Sequence, residues 1–253
     1  MLRSLHDMMG YKIMATDGEL GKATDFYFDD HTWMIRYLVV DTGHWLAGRQ
    51  VLISPAAVGT PRHDDRHLPV SLTMDQVRNS PGVQTDLPVS RQEEAELVTY
   101  YGWAQYWQPV NTELDVSPGM PPVPFPRKST TGETSHYDPR LRSAREVIGY
   151  HIKSSDGSVG HVSDFLAATD SWIIRYLVVD TRNWLPGRKV LLAPSWIKGV
   201  DWLDQKVDVS LDRQTIKSSP EYDHSMPPDR QYEEALHDFY GKPGYWKKTK
   251  GRN

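Results

Sequence analysis

The stretch IRYLVVDT occupies Ile35 to Thr42 and returns unchanged at Ile174 to Thr181. Its β-branched and aromatic residues in an unbroken apolar run predict a central β-strand, and its recurrence predicts that the strand is built twice. The two copies are offset by 139 positions (174 minus 35), and the same offset aligns Leu2–Trp107 with Leu141–Trp246 without a gap. Gly10-Tyr11 meets Gly149-Tyr150, Asp17-Gly18 meets Asp156-Gly157, Gly21 meets Gly160, and Asp25-Phe26 meets Asp164-Phe165. Further on, Trp33, Trp45-Leu46, Gly48-Arg49, Val51-Leu52 and Pro55 meet Trp172, Trp184-Leu185, Gly187-Arg188, Val190-Leu191 and Pro194. So long a period speaks for duplicated domains and not for stacked short repeats.

The organisation expected is a first unit at residues 1–107, a linker at 108–140, a second unit at 141–246 and a basic tail at 247–253. The linker is rich in Pro, Ser and Thr, and Pro121, Pro122, Pro124 and Pro126 favour an extended path without a core of its own. With 253 residues, 38% hydrophobic and 25% charged, the composition is that of a water-soluble globular chain, and no apolar run is long enough to span a bilayer. Zero cysteines exclude disulfides, thiol catalysis and thiolate metal sites. His6 and Asp7 interrupt what a secretory leader would need, so a cytoplasmic location is expected. A net charge of −4 gives no global attraction to nucleic acid or to anionic lipid, and only the tail KKTKGRN is locally basic.

Within a unit, strands come first and a helix last. Tyr11–Ala15 and Glu19–Phe28 read as a hairpin around the Asp17-Gly18 turn, Trp33–Asp41 as the central strand, and Gly48–Ile53 and Leu68–Leu72 as two more. Short strands joined by tight turns, with no helical crossover between them, predict a small antiparallel barrel or curled sheet. Ser90 and Glu93 have the spacing of a capping box, Leu97, Val98 and Tyr101 form a stripe, and Gly102 stands where the helix would stop. Asp229, the Leu236, Phe239 and Tyr240 stripe, and Gly241 repeat that plan.

The ordered series Gly10, Asp17, Gly18, Gly21, Asp25, Val40, Asp41, Gly48, Arg49, Val51, Leu52, Pro55 and Leu72 resembles a PRC-barrel domain, and its counterparts 139 residues on resemble it again. The family includes the cytoplasmic domain of the reaction-centre H subunit and the C-terminal domain of a ribosome-maturation factor. The resemblance implies a mainly β fold of two small antiparallel PRC-barrel-like β-barrels, each followed by a short helix. It also implies docking onto a larger assembly, without a shared active site.

No nucleophile elbow, phosphate loop or dinucleotide fingerprint occurs, so an enzyme is not expected and no cofactor is implied. His63, Asp64, Asp65 and His67 carry metal-binding chemistry, but the second copy has Trp202, Leu203, Asp204 and Lys206 in their place, which argues for a polar turn and no metal site. Asp41 with Arg49, and Asp180 with Arg188, read first as ion pairs or turn hydrogen bonds closing the hairpin, and as charged residues at strand ends Arg49 and Arg188 also stand among the candidate interface residues. Trp45-Leu46 and Trp184-Leu185 put large apolar pairs in loops, where each is either an exposed binding anchor or a plug folded onto the barrel. The aromatic ends supply further candidate interface residues: Tyr101, Trp103, Tyr106 and Trp107, then Tyr240, Tyr245 and Trp246. The role expected is a protein-binding or scaffolding module, with homo-oligomerisation left open and nucleic acid not expected. The alternative is an RNA- or ribosome-associated factor. An enzyme with a site between the two barrels comes third.

Overall fold

A computed structural model describes residues 1–46, 48–82, 89, 91–107, 140–181 and 188–247. The linker, the tail beyond residue 247, and Trp184 with Leu185 lie outside the described residues.

The first half runs β1 (Leu2–Ser4), α1 (Leu5–Met8), β2 (Lys12–Met14), β3 (Glu19–Asp29), β4 (Ile35–Asp41), β5 (Gln50–Ile53), β6 (His67–Pro69), α2 (Met74–Arg78) and α3 (Arg91–Tyr101). The second half repeats it as β7 (Leu141–Ser143), α4 (Ala144–Val147), β8 (His151–Ser154), β9 (Gly157–Ala168), β10 (Ile173–Asp180) and β11 (Lys189–Leu192). There follow β12 (Ile197–Asp201), β13 (Lys206–Val209), α5 (Arg213–Ser218) and α6 (Arg230–Phe239). The protein is mainly β, with two sheets ordered β5-β4-β3-β2-β6 and β11-β10-β9-β8-β13-β12. Among the described residues no strand pairing joins the two ends of either sheet, so both hydrogen-bonded ladders are open.

The pairing is not antiparallel throughout. β6 lies parallel to β2, and β13 parallel to β8. The chain makes β3, β4 and β5 before it returns, and it then enters beside β2 in the same direction, without the helical crossover that parallel pairing ordinarily employs. Both long strands are bulged, with register shifts between Ala23 and Asp25 on β3 and opposite Val178 and Val179 on β9, which bends and twists each sheet. Gly21 explains one invariant of the duplicated pattern: a Cβ there would stand 2.0 Å from the Asp41 carbonyl oxygen, at a φ of +144° that side chains rarely adopt.

The first strand of each half belongs to the other half's sheet. β1 pairs with β9, Leu2 opposite Ala168, and β7 pairs with β3, Leu141 opposite Asp29. One edge of β3 is covered by β4, whereas the other is shared, with β2 beside Gly21 and Lys22 and β7 beside Tyr27, Phe28 and Asp29. The hairpin turns are exchanged as well. Trp33 and Trp172, expected to open the central strands, instead turn left-handed at φ 57° and 53°. The amide of Ile174 donates to the Trp33 carbonyl and that of Ile35 to the Trp172 carbonyl, each at 2.8 Å. A bulky side chain at positive φ costs on the order of 1 kcal/mol, and these reciprocal bonds offset it.

The acid of the Gly-x-x-x-Asp pattern locks the exchange. Asp25 is buried, its carboxylate accepting from the Ser143 hydroxyl, from the Arg145 amide at 3.0 Å and from the Phe26 amide at 2.7 Å. Asp164 does the same for the Ser4 hydroxyl at 2.5 Å, the His6 amide at 3.0 Å and the Phe165 amide at 2.7 Å. Ser4 and Ser143 are themselves the N-caps of α1 and α4, so each carboxylate fastens the start of the other half's first helix. Phe28 stacks on Trp33 and contacts Phe165, Phe26 stacks on Trp172, and a single apolar core runs through both halves.

Asp25→Ala would leave two amides and a hydroxyl without their acceptor in a dry seam, and about 3 kcal/mol of stability should be lost. Urea unfolding of the full chain measures it, and Asp164→Ala should cost a similar amount. A loss below about 1 kcal/mol for both would mean that the carboxylates do not hold the seam.

Candidate interaction surface

The loop and end aromatics singled out by sequence are mostly folded inward. Trp45 is half-buried: its Nε1 donates to the Leu20 carbonyl at 2.6 Å, the Arg78 guanidinium lies over its ring, and Leu46 packs on the core beside it. Arg49 does not reach Asp41. Its Nη2 donates to the carbonyls of Ser80 at 2.9 Å and Pro81 at 2.5 Å, tying the hairpin to the segment after α2, while Asp41 accepts from the Gly43 amide at 2.9 Å. Arg188 likewise donates to the Ser219 carbonyl.

Each C-terminal helix lies on the outer face of its own sheet. Leu97 of α3 packs with Tyr27, Tyr37, Val39 and Leu52, and Tyr101 stacks on Trp103 with ring centres 4.3 Å apart. Tyr106 donates to Glu94 at 2.6 Å beneath the Arg36 guanidinium, and Trp107 meets the edge of its ring. In the second half the packing partner of Tyr240 is Trp196, at 4.6 Å, which stands where the first half has Ala57. One tyrosine is thus packed by a tryptophan from the C-terminal segment and the other by one from the turn after β11.

The second half adds a buried polar cluster. Tyr176 of β10 stands 3.0 Å from Glu233 and 2.9 Å from His237 Nε2, both on α6, and Tyr245 donates to Glu233 at 2.8 Å. Arg230 pairs with the second Glu233 oxygen at 3.1 Å and lies over the Trp246 ring, whose edge meets His237. His237 Nδ1 faces the Pro243 carbonyl at 3.1 Å, which only an N–H can satisfy, so in the neutral ring Nε2 is an acceptor, and the one Tyr176 hydroxyl proton is shared between it and the Glu233 carboxylate. Burial lowers the His237 pKa and raises that of Tyr176, and burial together with the Glu233 hydrogen bond pushes Tyr245 up to about 12. The phenols therefore stay protonated at neutral pH and serve as donors. Val98 holds the His237 position in the first half.

The His63 segment disperses instead of converging. His63 Nδ1 meets the Tyr11 hydroxyl at 3.1 Å, and His67 pairs with Asp65 at 3.3 Å. Among the described residues no three His, Asp or Glu side chains are grouped to hold a metal ion.

A feature that sequence reading missed is a groove of about 350 Å³ on the seam. One wall is the β3–β4 turn of the first half, with Asp30, His31 and Trp33, and the other is Pro194, Ile197–Val200 and Trp202 of the second. Arg142 links a residue of each wall, its Nε donating to Asp30 at 3.1 Å and its guanidinium lying 4.2 Å from the centre of the Trp202 ring. Leu203, at the tip of the β12–β13 turn, is 96% exposed. The replacement of His63-Asp64 by Trp202-Leu203 was the available signal, but without the exchanged strands nothing placed it beside Trp33.

A mainly β unit with a bulged long strand, a glycine repeated in both copies at its closest approach and a trailing helix is the class this geometry defines. Residues 2–69, which span β1 through β6, match the family model of the PRC-barrel domain. No curated protein matches the chain.

His237 makes stability pH-dependent in a definite direction. Its folded pKa is below the ordinary value, so the unfolded chain binds the additional proton, and stability falls as pH drops from above about 6.5 toward the folded pKa. Chemical unfolding at pH 7.5 and 5.5 should show this loss, and His237→Val, the residue of the first half, should make it smaller. An unchanged difference between the two pH values would remove His237 from the account.

Proposed function

We propose that the chain is a non-catalytic tandem PRC-barrel protein, two barrel-like units fused into one docking body that binds a protein partner or larger assembly. The observation that carries this reading is the reciprocal exchange of β1 and β7, which joins the two units into one body with an approximate twofold relation. The titratable groups in the interior support it: Asp25, Asp164, Glu233 and His237 are each engaged in holding helices and aromatic segments in place, which is structural work. The domain family favours a non-catalytic module. No helix among the described residues is long and apolar enough to cross a membrane, and the body has no cysteine, in keeping with a reducing compartment.

The test is affinity capture of the tagged full chain from a lysate of its own organism, with and without nuclease, followed by gel filtration and mass spectrometry. A partner that co-elutes in fixed ratio after nuclease treatment is the expected result. Ribosomal proteins and RNA that vanish with nuclease would overturn it in favour of an RNA- or ribosome-associated factor.

A further inference from the structure

The approximate twofold relation brings two arginines to equivalent places and gives them different partners. Arg142 of β7 lies opposite Phe28 on β3, and Arg3 of β1 lies opposite Ala167 on β9. Beside them the main chain is held alike, the Asp30 amide donating to the Arg140 carbonyl at 2.8 Å and the Thr169 amide to the Met1 carbonyl at 3.0 Å. The side chains differ. Arg142 has an acid, Asp30, at 3.1 Å, whereas the residue 139 positions on from Asp30 is Thr169, whose hydroxyl donates to the Met1 carbonyl at 3.2 Å.

Arg3 is left without an acid. Among the described residues it forms no ion pair; its Nη2 meets the Met1 sulfur at 2.9 Å, a weak acceptor, and its buried Nε has no hydrogen-bond partner. The nearby carboxylates are engaged or exposed. Asp7 pairs with Arg66 at 3.2 Å and accepts the Tyr11 hydroxyl at 2.9 Å, Asp164 accepts the Ser4 hydroxyl and two amides, and Asp64 and Asp170 are exposed. The ring beside the arginine differs as well. Trp202, over which the Arg142 guanidinium lies, is answered by His63, and burial and then the Arg3 charge hold the His63 pKa below its ordinary value. A half-buried guanidinium next to an imidazole thus lacks the counter-charge that partial desolvation calls for.

We propose that Arg3, with Thr169 and His63 beside it, is a carboxylate-binding site, filled from outside the chain by the group that Asp30 supplies to Arg142 within it. The carboxylate reaches the guanidinium from its solvent side, neutralises it and relieves the charge that Arg3 imposes on His63. Its source is an Asp or Glu side chain of the docked partner, which rests on the reading above, or a free small acid, which does not.

The probe is sodium acetate titrated into the full chain against sodium chloride at equal ionic strength. The readout is the Arg3 side-chain Nε–H resonance, which Arg3→Lys identifies by removing it. Acetate should shift that signal saturably and raise the unfolding midpoint, and chloride should do neither. Thr169→Asp puts the acid of the other copy into a main-chain setting that Asp30 already occupies. It should raise the unfolding midpoint without acetate and weaken the acetate response at least about tenfold. Asp30→Thr should give the Arg142 signal an acetate response that it lacks in the native chain, a gain that misfolding could not produce. An Arg3 signal that ignores acetate, one that answers chloride equally, or an equal response in Thr169→Asp would each overturn the proposal. Capture from the lysate separates the sources: loss of the partner from Thr169→Asp assigns the carboxylate to that partner, and its retention assigns the site to a free acid. A native chain that captures nothing sinks the docking reading, while the acetate response decides the site on its own.

Discussion

Everything in this fold depends on how the second edge of β3, and of β9, is shared. A strand of 11 or 12 residues is far longer than the three or four residues of β2 or β8 that accompany it, so part of its edge would be left bare. The other half's first strand occupies that part, and because the units are duplicates the exchange is reciprocal. Two short strands alone would be marginal in water. They hold because the carboxylates of Asp25 and Asp164 secure the helices that follow them, and because the exchanged hairpin turns carry Trp33 and Trp172 into one shared core. Trp172 is buried and Trp33 partly buried, and covering their apolar surface contributes up to roughly 2–3 kcal/mol each, comparable to a few backbone hydrogen bonds.

After duplication the halves have diverged in compensating ways. Ala57 with Trp103 in one half answers Trp196 with Lys242 in the other, so each C-terminal tyrosine still has a tryptophan against it. The polar clusters under the helices follow the same logic. Glu94 and Tyr106 repeat as Glu233 and Tyr245, but His237 enters where Val98 stood, and its two ring nitrogens find the Tyr176 hydroxyl and the Pro243 carbonyl. A buried imidazole without both partners would leave a polar group unsatisfied, and the same helix position in the first half avoids that cost by being apolar.

Much of the fold was legible because periodicity and turn chemistry are local. IRYLVVDT is buried strand in both halves, Asp229 does cap α6 with its carboxylate 2.7 Å from the Tyr232 amide, and Gly102 and Gly241 close their helices at positive φ. What was not legible is non-local. Leu2-Arg3-Ser4 is too short a run to announce a strand, and its partner lies more than 160 positions away, so no window of sequence contains the pair. The parallel seats of β6 and β13 escaped for the same reason, since direction is fixed by the route of the returning chain and not by composition. Trp33 misled in another way: its side chain favours strands, yet a hydrogen bond across the seam holds its backbone left-handed. Whether Trp45 and Leu46 form an exposed anchor or a plug is decided by tertiary contacts that no local pattern contains. Trp45, Leu46 and Arg49 were singled out for being large or charged in a loop, and the structure gives Trp45 a carbonyl to bond and Arg49 two.

The positions that match between the copies and those that do not carry different information. A feature rebuilt in both halves, such as Gly21 and Gly160 under the neighbouring strand's carbonyl, or Asp25 and Asp164 at the helix caps, answers a demand each half makes separately, and so it reports on folding. A docking surface makes no such demand and needs to exist only once. The Trp202-Leu203 turn and a full β12 strand occur in the second half alone, and the groove lined by Trp202 and β12 has its other wall from Asp30, His31 and Trp33 of the opposite half. That wall is in place only because β7 is seated on β3 and the Trp33 carbonyl is bonded to Ile174. The exchange that stabilises the molecule therefore also creates a surface that neither unit has alone, which gives a reason for both copies to remain in one chain.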